Sequence, residues 1–334
     1  MQHRDASDPW ADEVQAAFIV WLSYQRRSEV FAPLVGRAEP VYFPHYFRSS
    51  ALRPLDYLLK LVRTIIYLQR RKPAYAILQA PPIFAALAAI LTKIPYVVDV
   101  HNGLVQSFWS KIPLTHLCLN RAVALIAHNS EIASALSDRV PSANVVVIQD
   151  PIQHIPVRGR AREKGSILFI CSFDRDEPVE LILNVIRALP SYHFTITANL
   201  QRLSPELRSS YQQCPNLLLS GFLKTADYHV LLTSSQAAVV LSTMPSVQPS
   251  GAVEALSSDT PLVVTRTTLT EVLFGEWAVL CDNSLDSVIT AIQSIGNEAL
   301  DLAGYRSRWN ENVAHGVAVL KQLVQRDIAH KSSG

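Results

Sequence analysis

Ser250, Gly251 and Glu254, within PSVQPSGAVEALSSDTPLVV (Pro245 to Val264), have the types and spacing to hold a phosphorylated ligand. The stretch reads as loop, helix, turn and buried strand. Pro249-Ser250-Gly251 caps a helix whose first turn carries Glu254. A helix start presents unpaired N–H groups and the positive end of its dipole, which suits an anion. Glycine lets a phosphate approach the backbone, and a carboxylate one turn inside can accept hydrogen bonds from ribose hydroxyls. The same pattern also suits an ordinary capped helix in an α/β domain.

A second constellation is Asp99-Val100-His101-Asn102-Gly103, at the end of the apolar run YVVDV. Ligands of open α/β sheets bind at the carboxyl ends of strands, so a histidine, an asparagine and a permissive glycine there can meet one. A structural histidine is the competing reading. Arg26 and Arg27 follow another strand and are either contacts to an anionic acceptor or plain surface arginines. Asp174-Arg175-Asp176 spells D-x-D, a metal-binding pattern short enough to arise by chance. No metal is expected. Cys118, Cys171, Cys214 and Cys281 show no zinc spacing and read as reduced interior thiols.

The elements that must position these groups alternate. AAFIVWL (Ala16 to Leu22), YAILQA, YVVDV, ALIAH and NVVVIQD read as strands, separated by helices such as PPIFAALAAILTK. SILFICSF, HFTITAN, NLLLSGF, QAAVVLST, PLVVT and WAVLCDN repeat the pattern, which implies two parallel sheets covered on both faces. The first strand lacks a following GxGxxG, so the first half is not expected to hold a dinucleotide. The helix from Arg53 to Lys72 places Leu55, Leu58, Leu59, Val62, Ile65, Ile66 and Gln69 on one stripe. That stripe is expected in the core, with a solvated basic face or a basic contact to anionic lipid headgroups opposite. The domains expected are a flexible tail (1–15), a Rossmann-like acceptor domain (16–150), a Pro/Gly linker (151–165), a Rossmann-like donor domain (166–300) and a helical segment (301–330).

Composition bounds the rest. The 334 residues are 49% hydrophobic and 17% charged, and no apolar run is long enough for a membrane span. Residues 1–150 carry 15 Lys/Arg against 11 Asp/Glu and residues 151–334 carry 15 against 17, too weak a bias for a general nucleic-acid binder. The polar start, MQHRDASDPWADEV, does not read as a signal peptide, and a cytoplasmic location is expected.

From about Ala17 to Ile295 the chain resembles retaining GT-B-fold glycosyltransferases of the family 4, or group 1, type. PSGAVEALSSDTPLVVTRTTLTEV is similar to their donor-nucleotide segment, with Glu254-Ala255 and Pro261-Leu262-Val263-Val264 matching. The family's second glutamate, eight residues earlier, is Ser246 here. The resemblance implies a nucleotide-sugar co-substrate, a glycan or lipid-linked acceptor, retained configuration and no cofactor. It also implies that His101 faces an interdomain cleft and hydrogen-bonds the transferring sugar, with Asp99 and Asn102 beside it. The base pocket would lie around Thr197-Ala198-Asn199 and Gly221-Phe222-Leu223. The family's arginine and lysine after the first strand of the donor domain are Ser172 and Glu177 here. Arg175 is the nearest cation, and Lys224 and Arg266 are others. A Ser/Thr-Phe…Asp-Glu-Pro run marks a subgroup of such enzymes. A pseudo-glycosyltransferase acting as a binding subunit and a sugar-nucleotide epimerase are the alternative readings.

Overall fold

The computed structural model describes residues 15–36, 38–156, 162–296 and 301–332. Residues 1–14 of the expected tail and 157–161 of the expected linker lie outside the described residues. The chain divides into two compact units, one of residues 1–151 with 309–334, the other of 152–308.

In the first unit β1 (Ala16–Val20), β2 (Pro40–Tyr42), β3 (Tyr75–Ala80), β4 (Tyr96–Val100), β5 (Ala124–Ala127) and β6 (Val145–Val147) form one sheet, ordered β2-β1-β3-β4-β5-β6. Every pairing is parallel. Its helices are α1 (Arg26–Phe31), α2 (Arg53–Arg71), α3 (Phe84–Thr92), α4 (Asn102–Gln106), α5 (Pro113–Asn120) and α6 (Ser130–Arg139). β1, β3, β4 and β5 are buried throughout, as their continuous apolar runs require. β2, three half-buried residues on the edge, carries too short a pattern to be read from sequence.

The second unit repeats the architecture. β7 (Glu163–Phe169), β8 (His193–Ile196), β9 (Leu217–Leu219), β10 (Ser235–Val240), β11 (Leu262–Thr265) and β12 (Val279–Cys281) form a parallel sheet ordered β12-β11-β10-β7-β8-β9. Its helices are α7 (Val179–Ala188), α8 (Pro205–Gln212), α9 (Thr225–Ser234), α10 (Ser250–Ser257), α11 (Thr268–Phe274) and α12 (Leu285–Ser294); α13 (Ala303–Ser332) follows, and from Trp309 on it belongs to the first unit. The strand order reverses between β7 and β10, and a crevice opens at the carboxyl ends where successive strands diverge.

One expectation is inverted. α2 does not bury the stripe of Leu55, Leu58, Leu59, Val62 and Ile66; these side chains are 39–55% exposed. It buries Asp56, Lys60, Thr64 and Leu68 instead, with Tyr57, Leu61, Ile65 and Tyr67 packed against the core. The polar stripe is satisfied internally. The Asp56 carboxylate accepts from Tyr46 N–H at 2.7 Å and pairs with His45, and it lies 3.6 Å from Lys60. Lys60 donates to the Trp21 carbonyl at 3.0 Å, and Trp21 Nε1–H donates to Thr64 at 3.1 Å. Buried charge survives there because each group has a partner from another element.

Asp56→Ala strands the Lys60 ammonium and is expected to cost about 3–5 kcal/mol. Leu58→Ser on the exposed stripe should stay within about 0.5 kcal/mol of wild type. Urea denaturation of both variants checks this, and the opposite ranking would restore the apolar stripe to the core.

Candidate functional site

In the first unit, polar groups gather where five elements end. The short helix α1 carries Arg27 just after β1; Gln79 is near the end of β3; Asp99 and His101 end β4; His128 and Asp150 follow β5 and β6. His101 is held in place by its own N–H, donated to the Ala80 carbonyl at 2.9 Å.

Arg27 is buried, which corrects the surface reading and removes it from direct acceptor contact. Its Nε donates to both Asp99 oxygens at 3.2–3.3 Å, and one Nη donates to the Ile148 carbonyl at 2.8 Å. The other Nη pairs with Asp150. Arg26, next to it, is the half-buried first residue of α1. Burial alone would raise Asp99, but Arg27, helped by His101 and His128, holds its carboxyl well below the usual carboxylate range. The ionised Asp99 lies 3.3 Å from His101 Nε2 and fixes the position of the ring beside it. The side-chain amides of Gln25 and Gln79 lie 3.2 Å from the same ring nitrogen. The Asn102 side chain lies outside the described residues.

His128, whose Nε2 is 3.5 Å from Asp99, stands edge-on to His101 with ring centroids 4.3 Å apart. Burial first, then the Arg27 charge, pushes it down to about 4. Asp99, His101 and His128 are the group among the described residues whose ligand atoms come together closely enough for a metal, within 4.8 Å. Arg27 already occupies that carboxylate, so a divalent cation would meet the field that opposes a proton on His128. His128, Asp150, Gln25 and Gln79 join this cluster from outside the residues expected from sequence. His128 and Asp150 could have been found by the rule that picked out His101, since each follows a strand at its carboxyl end.

In the second unit the expected donor residues surround the β7/β10 crevice. α10 starts at Ser250, with Pro249 as its N-cap. Gly251 faces the strand ends: a Cβ there would lie 2.8 Å from Ile170 Cγ2 and 3.1 Å from Val240 Cγ2. The glycine is thus required for seating the helix start on the ends of β7 and β10. Ala252 N–H donates to the Pro249 carbonyl at 3.1 Å, so Ser250 and Gly251 are the amides that helix geometry leaves for an anion. Glu254 is not in the first turn as expected but in the second, where it accepts a hydrogen bond from Tyr228 Oη.

The loop after β7 departs from a cationic phosphate grip. The Glu177 carboxylate accepts from Ser172 N–H at 2.9–3.0 Å and from Asp174 N–H at 3.0 Å. Phe173 between them has φ +58°, so successive amides point inward as in an anion nest. Burial is the main reason Glu177 is raised above its ordinary value. Asp174 also pairs with Arg202 at 3.0 Å, and Asp176 accepts from Ser242 Oγ at 3.3 Å, so the two carboxylates of the D-x-D run are drawn to different partners. Asp176 O further accepts from Thr243 N–H at 2.6 Å, tying this loop to the one after β10. Arg175 is exposed in the turn between them, and Lys224 is exposed before α9, whereas Arg266 lies 3.6 Å from Glu271 and 3.9 Å from Asp282.

Thr197 and Asn199 follow β8, and Asn199 accepts from Gln201 N–H at 3.0 Å. Gly221, Phe222 and Leu223 follow β9; Gly221 has φ +65° and Phe222 is 81% exposed. Both expected base-pocket segments therefore stand at carboxyl ends of strands, one on β8 beside β7 and one on β9 at the sheet edge beyond it.

Neither a protein-family model nor a curated protein matches the sequence. Solved structures do. Sucrose-phosphate synthase from Thermosynechococcus elongatus aligns with TM-score 0.67 at 12% identity, covering 95% of this chain and 97% of that one. HepE of Anabaena, solved with UDP-glucose, gives TM-score 0.67 at 12% identity over 96% of this chain and 99% of its own. A protein assigned as a UDP-N-acetylglucosamine 2-epimerase in Listeria monocytogenes gives 0.59 at 14%, with 91% of each chain covered. The fold is that of two Rossmann-like domains, GT-B.

Gly251→Ala is expected to cost about 1–3 kcal/mol through the clash with Ile170, measured by denaturant midpoint. For His128, the unfolded chain takes up a proton near pH 6.5 that the folded chain refuses until about pH 4. Stability from the neutral ring is therefore full above pH 6.5 and is lost as pH falls, approaching ~3 kcal/mol. Urea denaturation from pH 7 to 4.5 should show this slope, and His128→Gln should flatten it.

Proposed function

We propose that the chain is a glycosyltransferase that moves a sugar from a nucleotide-sugar donor to a glycan or lipid-linked acceptor, with retention of configuration and without a metal. The observation that carries this reading is the start of α10: Ser250 and Gly251 sit on the ends of β7 and β10, at the point of strand reversal, with Glu254 one turn on. The likeness to sucrose-phosphate synthase and to HepE solved with UDP-glucose supports a nucleotide sugar as the ligand of that crevice.

In this reading the Ser250 and Gly251 amides and the helix dipole receive the donor diphosphate, and Glu254 accepts from ribose hydroxyls. Tyr228 Oη donates to Glu254 and fixes its carboxylate beside the helix start. Breaking the glycosidic phosphate bond leaves an oxocarbenium-like centre and adds negative charge to the diphosphate. Arg175, exposed in the turn after β7, offsets it, with Lys224 a further candidate. Thr197, Asn199 and Gly221 to Leu223 would line the base. His101, held by Asp99, hydrogen-bonds the transferring sugar, and the leaving phosphate takes the acceptor proton, so no separate base is required. Arg27 acts through Asp99 as a positioning residue.

One observation favours a second reading, a nucleotide-sugar-binding subunit without transfer. Glu177 fills the amides after β7 with a carboxylate, where the family pattern places cations.

A thermal-shift screen against UDP, GDP, ADP, CMP and their sugar conjugates separates the cases. One nucleotide family at a hundred times Kd should raise the melting temperature by about 5 °C or more, and Glu254→Ala should abolish most of that rise. Wild-type donor affinity and turnover in Glu254→Gln would overturn the assignment. Binding with no sugar released to water or to any acceptor would favour the second reading.

A further inference from the structure

Among the described residues, the inverted helix leaves an apolar face largely uncovered. Leu52, Leu55, Leu58, Leu59, Val62 and Ile66 recur at spacings of three and four and are all 39–55% exposed. Contiguous apolar side chains on a surface mark a contact site, whereas scattered ones do not.

Along the stretch that carries this face, the surface charge has one sign. Between Glu39 and Glu131 the sequence holds two acids, Asp56 and Asp99, against ten Lys/Arg. Both acids are fully buried and paired, so this stretch puts no carboxylate on the surface. Arg63 and Arg70 flank the apolar stripe, Arg71 and Lys72 close its far end, and Arg48 is exposed just before the helix. Arg63 is held at the rim, over Tyr46 and Phe43 at 5.3 and 5.8 Å from the ring centroids. Among the described residues no helix is long and apolar enough to cross a membrane.

We infer that α2 is an interfacial helix, lying flat on an anionic lipid bilayer with its leucine stripe in the headgroup–acyl boundary and its arginines among lipid phosphates. The combination of apolar face and cationic rim is what such binding requires, since apolar burial and attraction to anionic headgroups add. A second copy of this chain is a poorer occupant. A two-fold contact through this face would set Arg63 and Arg70 against like charges, with no carboxylate in the stretch to pair them. The face belongs to the first unit and requires no donor, so the inference stands apart from the transferase reading.

Sedimentation of the full chain with extruded vesicles tests it, using phosphatidylcholine alone and phosphatidylcholine mixed with phosphatidylglycerol. The wild type should bind the mixed vesicles, weaken with salt, and bind neutral ones poorly. Leu58→Ser with Val62→Ser should lower partitioning roughly tenfold or more while leaving the urea midpoint unchanged. Arg63→Gln with Arg70→Gln should lower it about 25-fold on anionic vesicles only. No vesicle binding, binding indifferent to anionic lipid, or binding unaffected by the serine pair would overturn the inference. So would a wild-type dimer, seen by light scattering, that the serine pair dissolves; that result would make the face a contact between copies.

Discussion

The buried pairing of Arg27 with Asp99 is the interaction on which the first unit's functional edge depends. A guanidinium and a carboxylate taken out of water are tolerated only when their hydrogen-bonding capacity is met. Here Arg27 spends its donors on Asp99, Asp150 and the Ile148 carbonyl, which ties the ends of β1, β4 and β6 together. Three consequences follow from that charge. Asp99 stays ionised; the ionised carboxylate orients the His101 ring; and His128 is kept neutral beside it. A polar group at a sheet edge thus has its protonation set by one side chain from a six-residue helix.

The second unit organises its edge by packing as much as by charge. Gly251 has no room for a Cβ, so the amides that suit a phosphate are also the place where α10 rests on Ile170 and Val240. The loop after β7 is held by Glu177, Asp176 and Ser242 in a network of short polar contacts. An internal carboxylate satisfies amides that an external anion would otherwise meet. That arrangement explains how the loop keeps an inward-pointing backbone without the arginine and lysine of the family pattern. It also confines the available positive charge to exposed residues such as Arg175.

α2 shows how amphipathicity can mislead. A helical stripe of leucines states that two faces differ, and burial of the apolar one is the usual outcome because it removes more apolar area from water. Here the core already contains the ring and aliphatic surfaces of Tyr57, Leu61, Ile65 and Leu68. Asp56, Lys60 and Thr64 find partners in His45, Tyr46 and Trp21. Those partners lie up to 43 residues away in sequence, so local pattern carries no trace of them.

The sequence by itself determined the two sets of alternating strands and helices, because parallel strands buried on both faces must be continuous apolar runs bounded by turns. It also determined that Ser250, Gly251 and His101 stand at carboxyl ends of strands, since residue order along an α/β chain fixes which end a loop occupies. Only the tertiary structure decided which of those groups meet. Arg27 and Asp99 are 72 residues apart in the chain, and their contact turns a surface arginine into a buried one. The same holds for Glu177, whose carboxylate closes the loop where a lysine was expected, and for α2, whose outward face was set by distant polar partners. Local pattern encodes periodicity and chain direction. Partner choice among buried polar groups depends on non-local geometry, which a linear reading does not contain.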